Sequence, residues 1–354
     1  MPDILDDPQA MRRLDPEGML DRIAEMPLQC RLAWQRLNTF RLPYTHRAAT
    51  SIVMAGLGGS AIGADLARAL AVGEARIPLC VHRDYGLPAF AGPDTLLIAC
   101  SYSGGTEETL SAFEEGQHRG CHLLAMTPGG DLAARAGAVG APVLDYQYKA
   151  QPRAATGFSV VLLLGVLTQM GHFHLEVHHI EDACRALEGT IAEVGPAVPS
   201  ERNPAKQLAR AIYGKLPVVY GGDLLADVAR RFKTQFNENS KAWAFFEAMP
   251  ELNHNAVVGY QCPSAFAQQF VVLCLTSRFN HPRNLRRMAV AQELLSRYGV
   301  AYHTIKGRGE TPFAQMMSVV CFGDYLSYYL AMLYGVDPTP VEAIAYLKDR
   351  LAET

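Results

Sequence analysis

From residue 51 onward, short continuous apolar runs alternate with longer amphipathic stretches. Apolar runs bounded by Gly, Pro and Ser mark strands buried on both faces, and hence a parallel sheet covered by helices. The pattern predicts strands at Ile52–Leu57, Leu79–His82, Thr95–Ser101, His122–Met126 and Val143–Asp145, with helices after the first, third and fourth. The first 45 residues instead space apolar positions helically, as in Met19 with Ile23, and predict a helical lead-in interrupted at Pro27. Helices are expected over 154–171 and 181–194, and the Pro-bearing stretch 195–204 is the expected linker. A second strand set follows at Pro217–Tyr220, Val271–Thr276 and Ala301–Ile305, closing on a helix over Pro340–Leu351. The prediction is an α/β chain of two tandem doubly wound domains, at 46–195 and 205–354, behind a lead-in at 1–45.

Composition narrows the partners. With 354 residues, 49% hydrophobic and 19% charged, the chain has enough apolar surface for two cores and too few charges for wholesale disorder. A net charge of −3 supplies no basic excess for a phosphodiester backbone, so nucleic acid is not the expected partner. The most apolar stretch noted, Phe158–Met170, falls short of the roughly 20 residues that cross a bilayer, so no membrane partner is expected either. The start, Met1–Asp7, is acidic and lacks the form of a secretion signal. Eight cysteines are scattered through apolar runs without a Cys-x-x-Cys pair, which suits reduced thiols in the cytoplasm. His172, His174, His178 and His179 resemble a metal cluster in composition, yet they fall between helices without carboxylates at ligand spacing, and no metal is expected. Arg283, Arg286 and Arg287 read as a solvated helix face, and Met316, Met317, Tyr328 and Tyr329 as core or subunit contact.

Two turns carry chemistry. Gly56-Leu57-Gly58-Gly59-Ser60-Ala61-Ile62-Gly63 joins a strand to a helix, where small residues and free helix N–H groups form a phosphate cradle. Alone it also fits the loose dinucleotide fingerprint, with Asp84 after the second strand to hold a ribose, or a plain tight turn. The second turn, Ser101-Tyr102-Ser103-Gly104-Gly105-Thr106-Glu107-Glu108-Thr109, again leads from strand to helix. Thr106 is placed to cap that helix, but a cap does not account for Ser101 and Ser103 as well. Three hydroxyls with helix N–H groups make a neutral, donor-rich pocket for a phosphate ester.

The Ser-Tyr-Ser-Gly-x-Thr-x-Glu-Thr turn, preceded by Gly-x-Gly-Gly-Ser, resembles the phosphosugar-binding loops of sugar isomerase (SIS) domains. Asn237-Glu238-Asn239-Ser240-Lys241, Pro250-Glu251-Leu252-Asn253-His254-Asn255, Asp337-Pro338-Thr339-Pro340 and Tyr346-Leu347-Lys348 extend the resemblance along the chain to the bifunctional phosphoglucose/phosphomannose isomerase family. The resemblance implies an aldose–ketose isomerase that interconverts glucose 6-phosphate or mannose 6-phosphate with fructose 6-phosphate through an enediol, without cofactor or metal. It implies that Gly59, Ser60, Ser101, Ser103 and Thr106 hold the phosphate and that Glu238 shuttles the proton. It further implies that Lys348 and His254 open the ring, His254 reaching the neighbouring subunit of a homodimer, and that Arg153 stabilises the enediolate. A carboxylate base needs apolar neighbours to raise its basicity, and Phe232, Phe236 and Trp243 are the expected ones. The flanking Asn residues are expected to orient His254. Two positions depart from the family, Gly105 in place of Asn and Ala256 in place of Glu. A single-substrate phosphoglucose isomerase and a non-catalytic phosphosugar-sensing regulator remain alternatives, the second having no need of Glu238 together with His254.

Overall fold

The computed structural model describes residues 3–351 and 353. In chain order the elements are α1 (Pro8–Leu14), α2 (Met19–Ala24), α3 (Met26–Thr39), β1 (Ser51–Ala55), α4 (Gly58–Ala71), β2 (Leu79–His82), β3 (Thr95–Cys100), α5 (Glu107–His118), β4 (His122–Met126), α6 (Gly130–Ala138), β5 (Val143–Leu144), α7 (Thr156–Gln169) and α8 (Val177–Val194). They continue as α9 (Pro204–Ile212), β6 (Leu216–Gly222), α10 (Ala226–Glu238), β7 (Phe245–Met249), β8 (Phe270–Thr276), α11 (Pro282–Arg297), β9 (Ala301–Lys306), α12 (Pro312–Tyr334) and α13 (Glu342–Leu351).

The chain divides into two compact units, neither continuous in sequence. One holds Glu25–Leu187 and Gly309–Gln315, the other the residues up to Ala24, Glu188–Arg308 and the chain from Met316 on. The first is built on sheet A, ordered β2-β1-β3-β4-β5, and the second on sheet B, ordered β7-β6-β8-β9. Every ladder in both sheets is parallel. The central strand β3 is buried at every residue, and β8 at all but its two ends, as continuous apolar runs require.

In the sheet A unit one face of the sheet packs under α5 and α6, with Val53, Leu97, Phe113, Leu123 and Leu132 in the core. Helix α7 packs against α3 and α4. In the sheet B unit Tyr220, Met249, Leu252, Val272, Met288 and Leu295 form the corresponding core. Here the N-terminal segment is tied down by Lys206, whose buried Nζ donates to Asp6 at 3.1 Å and to the carbonyls of Pro196 and Val198.

Helix α12 is long and apolar enough by composition to cross a bilayer, and 89% of its most apolar stretch is buried inside the protein. Met316, Met317, Tyr328 and Tyr329 are among its buried residues. This helix, rather than 158–170, is the longest apolar element, and the sequence reading had passed over it. Six cysteines are buried, Cys80 is half-buried and Cys262 exposed, all with free thiols.

Candidate functional site

In sheet A the chain leaves β1, crosses to the edge strand β2 and returns on the other side of β1 as β3. This reversal of strand order opens a crevice at the carboxyl ends of β1 and β3, where open α/β sheets bind ligands. Both glycine and hydroxyl turns lie there. The hydroxyl of Ser101 sits 2.9 Å from that of Thr106 and 3.5 Å from that of Ser103. Ser60 joins them by accepting the Tyr102 N–H at 3.3 Å. Thr106 stands at the N-cap of α5, yet its side chain makes no capping bond, and Leu57 at the N-cap of α4 makes none. The expectation of a Thr106 cap is thus corrected, because the hydroxyl is turned to Ser101 instead. By contrast Asp7, Asn203 and His281 do cap α1, α9 and α11. Two helix N-termini beside one hydroxyl cluster are left with N–H groups free for an anion. At the foot of the turn, burial pushes the Cys100 thiol up to about 12, so it adds no negative charge.

Arg153 belongs to the same unit. It is 2% exposed in the turn Pro152–Ala154 that leads into α7. A Cβ on Gly59 would lie 2.7 Å from the Pro152 carbonyl carbon and 2.8 Å from the Arg153 nitrogen, so only glycine lets this turn touch the Arg153 backbone. Gln29, fully buried, fixes the same stretch by donating to the Ala154 carbonyl at 2.7 Å and accepting the Gly157 N–H at 3.0 Å. The structure therefore gathers Gly59, Ser60, Ser101, Ser103 and Thr106 at the carboxyl ends of β1 and β3, with the Arg153 backbone packed against Gly59.

Glu238, His254 and Lys348 belong to the sheet B unit. Glu238 is half-buried and ends α10, two residues beyond the fully buried Phe236 and six beyond the fully buried Phe232. Trp243 corrects the expectation, being 78% exposed with its ring edge-on to Phe245. Its displacement follows from Lys241, whose φ of +53° reverses the chain after α10. That conformation is costly for a non-glycine residue and is held here by bonds. Lys241 Nζ donates to the Glu238 carbonyl at 2.7 Å and to the Pro338 carbonyl at 3.2 Å. Asn239 and Ser240 fasten the stretch to α12 through the hydroxyl and carbonyl of Ser327, at 3.0 and 2.6 Å.

His254 is exposed at the end of the turn Glu251–His254, anchored by the buried Leu252. The Asn255 side chain donates to Glu251 at 2.9 Å and accepts the Ala256 N–H, so it holds the turn rather than the imidazole. Among the described residues the imidazole has no hydrogen-bond partner. Glu238 precedes β7 and His254 follows it, so they lie toward opposite ends of this edge strand, which is about 16 Å long. Lys348 is exposed on α13, a helix without a buried residue.

Tyr102 escaped the sequence reading. Its hydroxyl donates to the Tyr148 carbonyl and accepts the Ala150 N–H at 2.7 Å, binding the serine turn to the stretch that leads to Arg153. Its place between two turn serines was the only signal, and a tyrosine there reads as a spacer. Of the four histidines near 172–179, His174 pairs with Glu176 at 2.6 Å and His178 pairs with it at 3.0 Å, and among the described residues these side chains form no group that could hold a metal ion.

Residues 201–351 match the family described as bacterial phospho-glucose isomerase C-terminal SIS domain. The chain is 38% identical over 336 residues to a bifunctional phosphoglucose/phosphomannose isomerase of Caldicellulosiruptor bescii, covering 95% of this chain and 99% of that one. It is 35% identical over 319 residues to the protein of the same name from Aquifex aeolicus, covering 90% and 94%. Among solved structures, the tagatose-6-phosphate ketose/aldose isomerase of Escherichia coli superposes with a TM-score of 0.70 at 16% identity, over 91% of this chain and 95% of that one, which speaks for the fold alone. With that coverage at that identity, and with the serine turn and the Asn237–Lys241 stretch both built into the fold, the chain belongs to the bifunctional phosphoglucose/phosphomannose isomerase family.

Proposed function

We propose that the protein interconverts glucose 6-phosphate and mannose 6-phosphate with fructose 6-phosphate. The observation that carries this reading is the convergence of the Ser60, Ser101, Ser103 and Thr106 hydroxyls beside two helix N-termini without side-chain caps. Such a site holds a phosphate dianion by donors alone, and the relatives bearing the isomerase name support the sugar as its carrier.

His254 and Lys348 open the sugar ring, one group protonating the ring oxygen while the other takes the proton of the O1 hydroxyl. Glu238 then removes the proton from C2 of the aldose and returns it to C1 through a cis-enediolate, and in reverse for the ketose. Arg153 faces the charge that develops on the enediolate oxygens, where a fixed, buried cation is most effective. Glucose and mannose phosphates differ only at C2, which is planar in the enediolate, so rotation about C2–C3 presents either face of the enediolate to the same base. No cofactor or metal takes part in these steps.

The protein acts as a homodimer, with His254 supplied by a second copy. Three features support this: the placement of Glu238 and His254 toward opposite ends of β7, the unpartnered imidazole, and the exposure of Ile344, Tyr346, Leu347 and Leu351 on α13. The free, mostly buried thiols fit a cytoplasmic location.

The test is Glu238→Gln, assayed with fructose 6-phosphate in deuterated water. The parent enzyme incorporates deuterium at C2 of the aldose products. The variant loses turnover by roughly 10²- to 10⁴-fold, the range of a positioned general base, while still binding fructose 6-phosphate. Turnover near the parent rate would sink the assignment of the base.

A further inference from the structure

Sheet B carries a cavity that the isomerase chemistry does not use. Between β7 and β8 the chain forms two short 3-10 turns, Ala256–Gln261 and Ser264–Phe266. Ala256, Val257, Tyr260 and Ala267 pack from this stretch against the sheet B core. The packing is incomplete. Between these turns, Val218 and Tyr220 of β6, Val272 of β8 and Leu295 of α11 lies a cavity of about 230 Å³. All of its walls belong to the sheet B unit.

The walls decide what the cavity can hold. Among the described residues that line it, none is Asp, Glu, Lys, Arg or His, and Tyr220, Tyr260, Phe266 and Phe270 supply aromatic surface. A phosphate or a polyol would give up its hydration there without replacement hydrogen bonds, whereas an apolar ring gains by burial and by contact with other rings. Size limits the guest further. An apolar cavity of about 150 Å³ admits benzene, and 230 Å³ leaves room for a single ring with a short substituent.

One polar feature remains. Tyr220 is 3% exposed, and its hydroxyl lies 2.9 Å from that of Tyr260. The two hydroxyls carry two hydrogens, and the bond between them uses one. Among the described residues no acceptor meets the other. Burial above all, with the Glu247 charge adding to it, pushes both hydroxyls up, so they stay neutral donors and an anion beside them is disfavoured. A buried donor without an acceptor is costly, and both tyrosines line the cavity, so an acceptor held there by an apolar ring would satisfy it.

We propose that this cavity is a binding site for a neutral, single-ring aromatic molecule that carries one hydrogen-bond acceptor. Its role does not depend on the isomerase reading. The test compares two molecules of nearly the same shape, acetophenone, which has one acceptor, and ethylbenzene, which has none. Each is titrated against the full chain by saturation-transfer difference NMR. Acetophenone binds, and ethylbenzene binds about tenfold more weakly, the worth of one hydrogen bond to a buried donor. In the double variant Tyr220→Phe with Tyr260→Phe, the two molecules bind within about twofold of each other. Ala267→Phe places a ring in the cavity and loses both. Absence of binding to the parent, equal affinities there, a gap that survives the double variant, or undiminished binding to Ala267→Phe each overturns the proposal. Where a variant does not fold, the parent chain locates the ligand through Cys262, which is exposed and lines the cavity. Saturating acetophenone then slows the alkylation of Cys262 by iodoacetamide, and an unchanged rate overturns the proposal equally.

Discussion

The serine turn is organised by a residue that touches no proposed substrate atom. Tyr102 holds residues 148–150 against the turn, while Gly59 and Gln29 hold the neighbouring backbone of Arg153. Replacing Tyr102 with Phe removes only the hydroxyl. The expected outcome is a kcat about tenfold lower, the equivalent of ~1.4 kcal/mol in the transition state, with KM for fructose 6-phosphate near the parent value. Steady-state kinetics checks this, and a change in KM alone would show that Tyr102 serves the phosphate rather than Arg153. At this scale the sequence made the hydroxyls legible, because Ser101, Ser103 and Thr106 exceed what one helix cap uses. Tyr102 stayed hidden because its role depends on a segment more than 40 residues away, which no local pattern encodes.

Among the elements, α10 depends on α12 for its position. Arg231 and Asp324 form a buried pair at 2.7 Å, Gln235 donates to the same carboxylate at 2.9 Å, and a Cβ on Gly323 would lie within 2.4 Å of the Phe232 ring. Losing one partner of a buried pair strands the other charge, so Asp324→Ala is expected to cost about 3–5 kcal/mol of stability. Urea denaturation measures it, and a loss below about 1 kcal/mol would show that solvent reaches the guanidinium after all. The buried strands were legible because burial on both faces writes a continuous apolar run. β7 was not, since Phe245–Met249 is an edge strand, exposed at Phe245, half-buried over its next three residues and carrying Glu247. α12 was passed over because Gly323, Asp324 and Ser327 interrupt its apolar pattern, and these are the residues that bind α10. Trp243 was misjudged because a left-handed residue at Lys241 leaves no signature in hydrophobicity.

For the whole molecule, charge acts through pH. Burial holds His46, His172, His179 and His303 below the ordinary histidine value. A folded value below the unfolded one means that the unfolded chain binds more protons, so this contribution is complete above about pH 6.5 and is lost as pH falls through the folded values. The urea midpoint is therefore expected to drop between about pH 7 and pH 5.5, before the carboxylates titrate, and a flat midpoint over that range would contradict it. The proposed dimer gives a second test at this scale. Glu238→Gln and His254→Gln chains are each inactive alone, but mixed and reassembled they recover about a quarter of parent turnover, because half the dimers carry one complete site. No recovery would place both residues in one chain's site.

The discontinuity of the sheet B unit also bears on biosynthesis. Residues 3–24 pack with elements that begin at residue 188, and Asp15 reaches Tyr328 near the end of the chain. Helices α1 and α2 must therefore wait for these partners while the whole stretch Glu25–Leu187 is translated. Such long-range closure slows folding and leaves the intermediate sticky. The sheet A unit lacks only Gly309–Gln315 when translation reaches residue 308, whereas the sheet B unit still lacks α12, its most apolar helix. A nascent chain halted there would carry a nearly finished domain beside an unfinished one, and chaperones would engage the second.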